Sequence, residues 1–287
     1  MSRTGVQAPD RIQFVMTREE GAIARPLAQV GILAYQEKGQ LRHKKGGVIR
    51  QFRGSPDCGA FYAWVLGNIN QLVSAKHPKP NPPLKELTTG QVGNLGEFLS
   101  FLVSRDSIFK LPGHTPALAG ALIPLQPGTI VGLDIVVVYL DPDGASENDR
   151  LFIQEVKTTG ARTLGYAKAL IEDYKKLLDD TEPSKQLQTR ISSIKTKLFF
   201  EHNWPMRALE RVEDLVSTEA ADCLKVRLMP TLIHDLRYED PVSALSNVLD
   251  QVYSQGWPRD SVDAWSISIA KLNESLVKLA NREAFRP

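Results

Sequence analysis

The stretch that decides the fold is residues 130–157, IVGLDIVVVYLDPDGASENDRLFIQEVK. Its first part, 130–140, is almost wholly apolar and rich in β-branched residues, which is typical of a strand buried on both faces. The next four residues, Asp-Pro-Asp-Gly at 141–144, favour a turn. A second strand is predicted over 151–157, and we expect the two strands to pair through the turn.

Asp134 is the single charged residue of the first predicted strand. A buried carboxylate is costly unless it is paired or binds a metal. Glu155 and Lys157 project from one face of the second strand, because side chains alternate along a strand. If the strands pair, Asp134 and Glu155 converge and can hold Mg²⁺, with waters and substrate oxygens completing the coordination. Lys157 can then orient or help to deprotonate a water, or stabilise charge on a phosphate.

A purely structural alternative remains open for the same three residues. Glu155 and Lys157 can form a surface pair on an edge strand, with Asp134 at a strand end. A Glu-x-Lys triplet occurs by chance about once in a chain of this length, so its context carries the prediction.

Further helices and strands are predicted on both sides of this stretch. The predicted helices cover 91–103, 166–178 and 271–282. The first is expected to be capped by a threonine, and the second to carry its charges on the outer face. The further strands cover 117–125, 226–234 and 265–269. This order predicts an α/β fold with a mixed sheet and helices on its faces.

Gly-Leu-Asp134, followed after twenty residues by Glu155-Val-Lys157, resembles the bipartite signature of the PD-(D/E)XK nuclease superfamily. The resemblance implies a restriction-endonuclease-like core, a mixed central sheet flanked by helices, over about residues 90–235, with N- and C-terminal additions. It also implies that Asp134 and Glu155 bind Mg²⁺ (or Mn²⁺), that Lys157 is catalytic, and that Glu97 in the first helix assists. No proline precedes Asp134, unlike in many members.

The resemblance implies a Mg-dependent deoxyribonuclease that hydrolyses phosphodiester bonds in DNA. The segment Gly-Glu-Phe-Leu-Ser-Phe-Leu at 96–102, together with the two motifs, is also similar to the nuclease subunits of bacterial anti-phage defence systems such as Hachiman. Those subunits work beside a helicase, so a helicase or other protein partner is expected. The alternative function is a catalytically inactive module of nuclease fold that binds nucleic acid or a partner protein.

The net charge of +2 is unevenly distributed. Residues 1–60 carry ten Lys and Arg against five Asp and Glu, whereas 121–180 carry six against ten. A basic hairpin around Gly46-Gly47 is predicted to bind DNA phosphates. The candidate DNA contacts are Arg42, Lys44, Lys45, Arg50, Arg53 and, at the start of the helix 166–178, Arg162 and Lys168. The alternatives are a solvated hairpin and, for the last two, helix capping. Asp149 and the other acidic residues of the turn region are expected to face water.

Several classes of protein are excluded at this stage. Two cysteines cannot build a four-cysteine zinc site or a disulfide framework. No apolar run approaches the roughly 20 residues of a membrane span, and the N-terminal segment lacks the apolar region of a leader; a cytoplasmic protein is expected. Four prolines within 78–83 favour a linker. The predicted division is a basic region over 1–85 that faces DNA or a partner, and a nuclease-like domain over 86–287.

Overall fold

The chain combines strands and helices. The computed structural model describes residues 40–42, 48–53, 79–107, 115–119, 133–140, 144–147, 149–161, 163–178, 187–202, 204–216, 225–235 and 240–283. The strands in these ranges are β1 (Gln40–Arg42), β2 (Val48–Arg53), β3 (Thr115–Ala119), β4 (Ile135–Leu140), β5 (Arg150–Gln154), β6 (Val156–Thr159), β7 (Val226–Leu228), β8 (Thr231–Asp235) and β9 (Asp263–Ile269). The α-helices are α1 (Thr89–Ser107), α2 (Ala167–Lys176), α3 (Leu187–His202), α4 (Met206–Asp214), α5 (Pro241–Ser254) and α6 (Leu272–Ala280). The predicted α/β class is confirmed.

The strands form two hydrogen-bonded ladders of mixed direction. One has the order β3-β4-β5-β7 and the other the order β1-β2-β9-β8-β6. In the first ladder, β3, β4 and β5 form an antiparallel meander and β7 is parallel to β5. In the second, β6, β8, β9 and β2 are parallel neighbours, and β1 is antiparallel to β2. The predicted pairing of the strands on either side of 141–144 is confirmed.

The two ladders are continuous with each other at a seam. We use this name for two adjacent strand breaks, Glu155 between β5 and β6, and Met229-Pro230 between β7 and β8. The Met229 amide donates to the Ile153 carbonyl at 2.8 Å, and the Thr231 amide donates to the Glu155 carbonyl at 2.9 Å. Pro230 has no amide hydrogen to contribute to a ladder, which accounts for a break at this point. The single strand predicted over 226–234 is therefore wrong in that one respect.

Helix α1 begins with a reciprocal cap and lies on the second ladder. The Thr88 amide donates to the Gln91 side chain at 2.9 Å, and the Gln91 amide donates to the Thr88 hydroxyl at 3.3 Å. This pair is a capping box, which satisfies two amides at the helix start. The apolar face of α1, including Phe98 and Leu99, is buried, and the helix packs against β6. The predicted helix and its threonine cap are confirmed, and the helix extends beyond both predicted ends.

Helix α2 packs against α5, and α5 packs against β9, so this side of the sheet is also covered. The largest fully buried side chains are Trp265, Tyr174, Phe98, Leu99, Ile135 and Leu151. Removing each from water contributes roughly 1.5–3 kcal/mol to the free energy of unfolding. Three of these residues, Tyr174, Ile135 and Leu151, come from the elements next to the seam, so the seam is anchored in the core.

The N-terminal basic segment contributes β1 and β2 to the second ladder. These strands pair antiparallel, from Gln40 opposite Arg50 to Arg42 opposite Val48. β2 also pairs with β9, from Val48 opposite Asp263 to Arg53 opposite Ser268. The two strands of the predicted hairpin are thus paired and extend the sheet made by the later part of the chain, whereas residues 43–47 between them lie outside the described residues. The division of function at residue 85 stays a prediction.

The turn region between β4 and β5 differs from expectation at Asp149. This residue was expected to face water, yet it is only 3% exposed. Its carboxylate accepts two hydrogen bonds from Arg211 on α4, at 2.6 and 3.1 Å. A bidentate Arg–carboxylate pair of this kind compensates the cost of burying the charge.

In the described part of the chain, no helix has the length and apolar character needed to cross a membrane.

Candidate active site

Asp134 and Glu155 lie side by side at the seam. Ile135, the first residue of β4, pairs with Gln154, the last of β5, so the residues just beyond this pair are neighbours. The Val156 amide, which follows Glu155, donates to the Asp134 carboxylate at 2.7 Å. Both candidate metal ligands therefore occupy strand ends, where the backbone leaves the regular ladder and an amide is free to bind a side chain.

The Glu155 carboxylate is buried and incompletely satisfied. Its side chain belongs to a residue that is 4% exposed, and its Oε1 has no hydrogen-bond partner in the described part of the chain. Burial raises the pKa of Glu155 well above its ordinary value, and the nearby charges of Asp134 and Asp173 raise it further. Lys157 and Arg190 oppose this shift. An uncompensated buried carboxylate is expensive, so a ligand that satisfies Oε1 would stabilise the site.

Asp134 is in a similar electrostatic position but has better partners. Burial raises its pKa, whereas Lys157 and the hydrogen bond from the Val156 amide lower it. A side-chain hydrogen bond with Glu155 also favours the charged form of Asp134. The two carboxyl groups are close enough to interact directly, which is the arrangement that the sequence predicts.

Lys157 points into the same region and is paired with a residue that the sequence did not identify. Its ammonium lies 2.5 Å from Asp173 Oδ2 on α2. Burial works against the ammonium, but Asp134, Asp173 and Glu155 outweigh it and raise the pKa of Lys157. The positive charge of this lysine is therefore retained at neutral pH.

Glu97 reaches the site because α1 approaches β6 closely at Gly96. A Cβ atom at this position would overlap the Thr158 hydroxyl and lie 2.8 Å from Thr158 Cβ, so only glycine allows the observed separation. Burial, followed by the charge of Asp134, raises the pKa of Glu97 to about 8, and Lys157 opposes the shift. The structure thus brings Glu97, Asp134, Glu155 and Lys157 into one cluster of interacting charges.

Tyr174 on α2 forms hydrogen bonds with backbone groups of the seam. Its hydroxyl accepts a hydrogen bond from the Glu155 amide at 3.2 Å and donates one to the Ile153 carbonyl at 3.4 Å. The side chain is fully buried, and burial and the charge of Glu155 raise its pKa well above the ordinary value. Neutral Tyr174 therefore accepts a hydrogen bond from the Glu155 amide at the break in the ladder and donates a second one to the Ile153 carbonyl, which also accepts from the Met229 amide.

The candidate DNA contacts lie mostly outside what the structure describes. Arg42 is on β1, and Arg50 and Arg53 are on β2, where the backbone alone is described. Lys168 is exposed in the first turn of α2, as expected for a residue at the start of that helix. Lys44, Lys45 and Arg162 lie outside the described residues. The role of these seven residues in binding DNA stays a prediction.

Sequence reasoning missed Asp173, Tyr174 and Arg190. The charges of the helix 166–178 were expected to face outward, and for Asp173 this is wrong because the residue faces Lys157. The apolar periodicity of α2 indicates a buried face, and Asp173 is next to the buried Tyr174, which was the available signal. Arg190 on α3 is buried, and nothing in its local sequence indicates a position near Glu155.

The donor set suits a hard divalent cation. Mg²⁺ in proteins often takes only one or two carboxylates, and water or phosphate oxygens complete its shell. Asp134 and Glu155, with the unsatisfied Glu155 oxygen, meet that requirement. The described ranges contain no group of three or more histidine, cysteine, aspartate or glutamate side chains that could hold a metal ion. A site at the seam would therefore depend on water or substrate for its remaining ligands.

The sequence matches no protein-family model and none of the curated proteins with which it was compared.

Proposed function

We propose that the chain is a metal-dependent nuclease that hydrolyses phosphodiester bonds. The observation that carries this proposal is the buried Glu155 carboxylate, which has one oxygen without a hydrogen-bond partner and lies beside Asp134 and Lys157. A carboxylate in that state is costly to a protein that does not use it. Paired carboxylates can hold a divalent ion, and an ammonium beside them can stabilise developing charge on a phosphate.

The topology supports placing the chain in the PD-(D/E)XK class. A helix, three antiparallel strands, a second helix and a strand parallel to the third occur in the order α1, β3-β4-β5, α2, β7, with β6 inserted before α2 and helices α3 and α4 inserted after it. This is the order of the restriction-endonuclease-like core that the two sequence motifs imply. More particularly, we propose a DNA-cleaving effector of bacterial anti-phage defence that works with a helicase partner. That step is supported by the similarity of the segment at 96–102 and the motifs to such nuclease subunits.

Each residue of the cluster has a distinct part in this proposal. Asp134 and Glu155 would hold Mg²⁺ (or Mn²⁺), which when bound supplies a Lewis acid and a more acidic water. The positively charged Lys157 would stabilise negative charge on the scissile phosphate and orient the attacking water. Glu97, with a pKa of about 8, keeps its proton near neutrality and is placed to donate a hydrogen bond or exchange that proton.

Cleavage of supercoiled plasmid DNA tests this proposal. We expect wild-type protein to cleave with Mg²⁺ or Mn²⁺ and to stop with EDTA. We expect Asp134→Asn, Glu155→Gln and Lys157→Met each to lose about 100-fold or more in rate, because each removes a group that acts at the phosphate. Glu86→Gln, an exposed carboxylate on the coil before α1, is the matched control and should keep wild-type cleavage. Undiminished cleavage by the three cluster variants would exclude the proposal.

A non-catalytic DNA- or partner-binding module is the second candidate. It is favoured by the ion pair between Lys157 and Asp173, which gives the lysine a partner inside the protein. Such a module would bind DNA with a steep dependence on salt, because the interaction would release counterions from phosphates. It would not cleave DNA with Mn²⁺ or in the presence of its protein partner, and this outcome separates the two candidates.

A further inference from the structure

At the edge of the cluster, the Asp173 carboxylate forms an ion pair with the Lys157 ammonium. The two groups are 2.5 Å apart, and their side chains are 20% and 23% exposed, so the contact is partly shielded from water. The second Asp173 oxygen lies 3.2 Å from the ammonium of Lys176, which is more exposed. One carboxylate on α2 thus takes part in two ion pairs and keeps the lysine of the Glu-x-Lys motif turned toward α2.

The same contact accounts for the unsatisfied oxygen of Glu155. Lys157 is two residues from Glu155, and its flexible side chain carries three donors. Asp134, Glu155 and Asp173 all attract this ammonium, and all three contribute to its electrostatics. Yet Glu155 Oε1 has no hydrogen-bond partner in the described part of the chain. The lysine is engaged by Asp173 and leaves that oxygen uncovered.

We infer that Asp173 is a positioning residue that engages the Lys157 ammonium, so that the Asp134 and Glu155 carboxylates stay available to a divalent cation. This inference rests on the proposed function and adds a regulator of metal affinity to it. Without Asp173, the nearest internal cation would turn to the carboxylate pair and compete with the metal. Lys157 would then pair with these carboxylates and lower the affinity of the site for a metal ion.

The position of α2 makes Asp173 suited to this role. The next residue, Tyr174, is fully buried, and its hydroxyl contacts the Glu155 amide and the Ile153 carbonyl. These contacts tie α2 to the seam at the point where β5 ends and β6 begins. Asp173 is therefore held at a fixed distance from the strand that carries both Glu155 and Lys157.

A different effect of Asp173 must be separated from this one. Its negative charge attracts a cation through space even if Lys157 plays no part, and that attraction would be of similar size whether or not the lysine is present. A double-mutant cycle distinguishes the two, because only the competition by Lys157 disappears when the lysine is replaced.

The test is Mn²⁺ binding to the full chain without DNA, measured by calorimetry and by electron paramagnetic resonance. We expect Asp173→Asn to weaken Mn²⁺ binding about tenfold or more, in the range found for residues that orient metal ligands. In a Lys157→Met background, the same substitution should weaken binding about threefold or less, the residual through-space effect. Asp173→Glu should restore most of the affinity. Glu172→Gln, an equal change of charge on the exposed neighbour, should leave it unchanged.

Circular dichroism melting shows whether Asp173→Asn folds, and Asp173→Ala serves as a second variant if it does not. Equal losses with and without Lys157, or no loss at all, would overturn the inference while leaving the proposed function intact, provided that Asp134→Asn abolishes Mn²⁺ binding. If wild-type protein binds no Mn²⁺, or binds it independently of Asp134, the proposed function fails and the inference fails with it.

Discussion

Replacing Gly96 with alanine should destabilise the protein because the contact between α1 and β6 has no room for a side chain. The new Cβ would overlap the Thr158 hydroxyl and lie 2.8 Å from Thr158 Cβ and 3.1 Å from Thr158 Cγ2. Rotating the threonine moves its hydroxyl and methyl groups but cannot move its Cβ. The helix or the strand must therefore shift, and such overpacking costs roughly 1–3 kcal/mol.

Gly93, one turn earlier on α1, is the matched control. A Cβ there meets no atom within 4 Å. Both substitutions gain about 0.5–1 kcal/mol, because alanine is the better helix former and restricts the unfolded chain. The difference between the two variants is then the overpacking cost of roughly 1–3 kcal/mol. At roughly 2–4 °C per kcal/mol for a domain of this size class, Gly96→Ala should melt roughly 2–12 °C below Gly93→Ala.

The assay is thermal denaturation followed by circular dichroism. Thr158→Ala in the Gly96→Ala background should recover part of the loss, because it removes the overlapping hydroxyl but leaves the 2.8 Å contact between Cβ atoms. A Gly96→Ala variant as stable as Gly93→Ala would refute the close approach of α1 to β6. It would also refute the placement of Glu97 beside Asp134, because that placement depends on the same approach.

Two further predictions concern charge and pH. Arg211→Met should lower the free energy of unfolding by about 3–5 kcal/mol in urea denaturation, because it removes the bidentate cation from the buried Asp149 carboxylate. Lys195→Met, which removes a cation from the exposed Glu213, should cost about 1 kcal/mol or less, and equal losses would contradict this. In EDTA, the melting temperature should fall between about pH 4.5 and pH 8. The folded protein keeps the Glu97 proton up to a pKa of about 8, whereas the unfolded chain loses it near pH 4.5. The stability that this proton contributes is therefore complete below about pH 4.5 and is lost as the pH rises toward about 8. Glu97→Gln should flatten this slope, and a melting temperature that rises with pH over that range would contradict the assignment.

The convergence of Asp134 and Glu155 could be predicted because it depends on local rules. An apolar strand, a strong turn and a second strand predict a hairpin, and alternation along the strands selects the residues at the shared end. The observed register, with Ile135 opposite Gln154, is the outcome of those rules. Glu97 was predicted only from the resemblance, which implies an assisting glutamate on the first helix. Its distance from the strand was not predictable, because it depends on Gly96 meeting a threonine from another element.

The residues that were missed depend on contacts between distant parts of the chain. Asp149 was expected in water because its segment is polar, but Arg211 on α4 provides a partner 62 residues away. Asp173 was assigned to an outer face because charges usually lie there, but the orientation of α2 is set by the burial of Tyr174 against the seam. The break at Met229-Pro230 was signalled by the proline itself, and its position next to Glu155 follows only from the pairing of β6 with β8.

The most direct measurement is anomalous scattering from crystals of the full chain soaked in Mn²⁺. We predict an anomalous difference peak between the Asp134 and Glu155 carboxylates, with Glu155 Oε1 as a ligand and Lys157 still paired with Asp173. We also predict that the peak is absent from Asp134→Asn crystals soaked in the same way. A wild-type seam without a peak under conditions in which Mn²⁺ occupies other sites of the same crystal would contradict the assignment of this cluster as a metal-dependent active site.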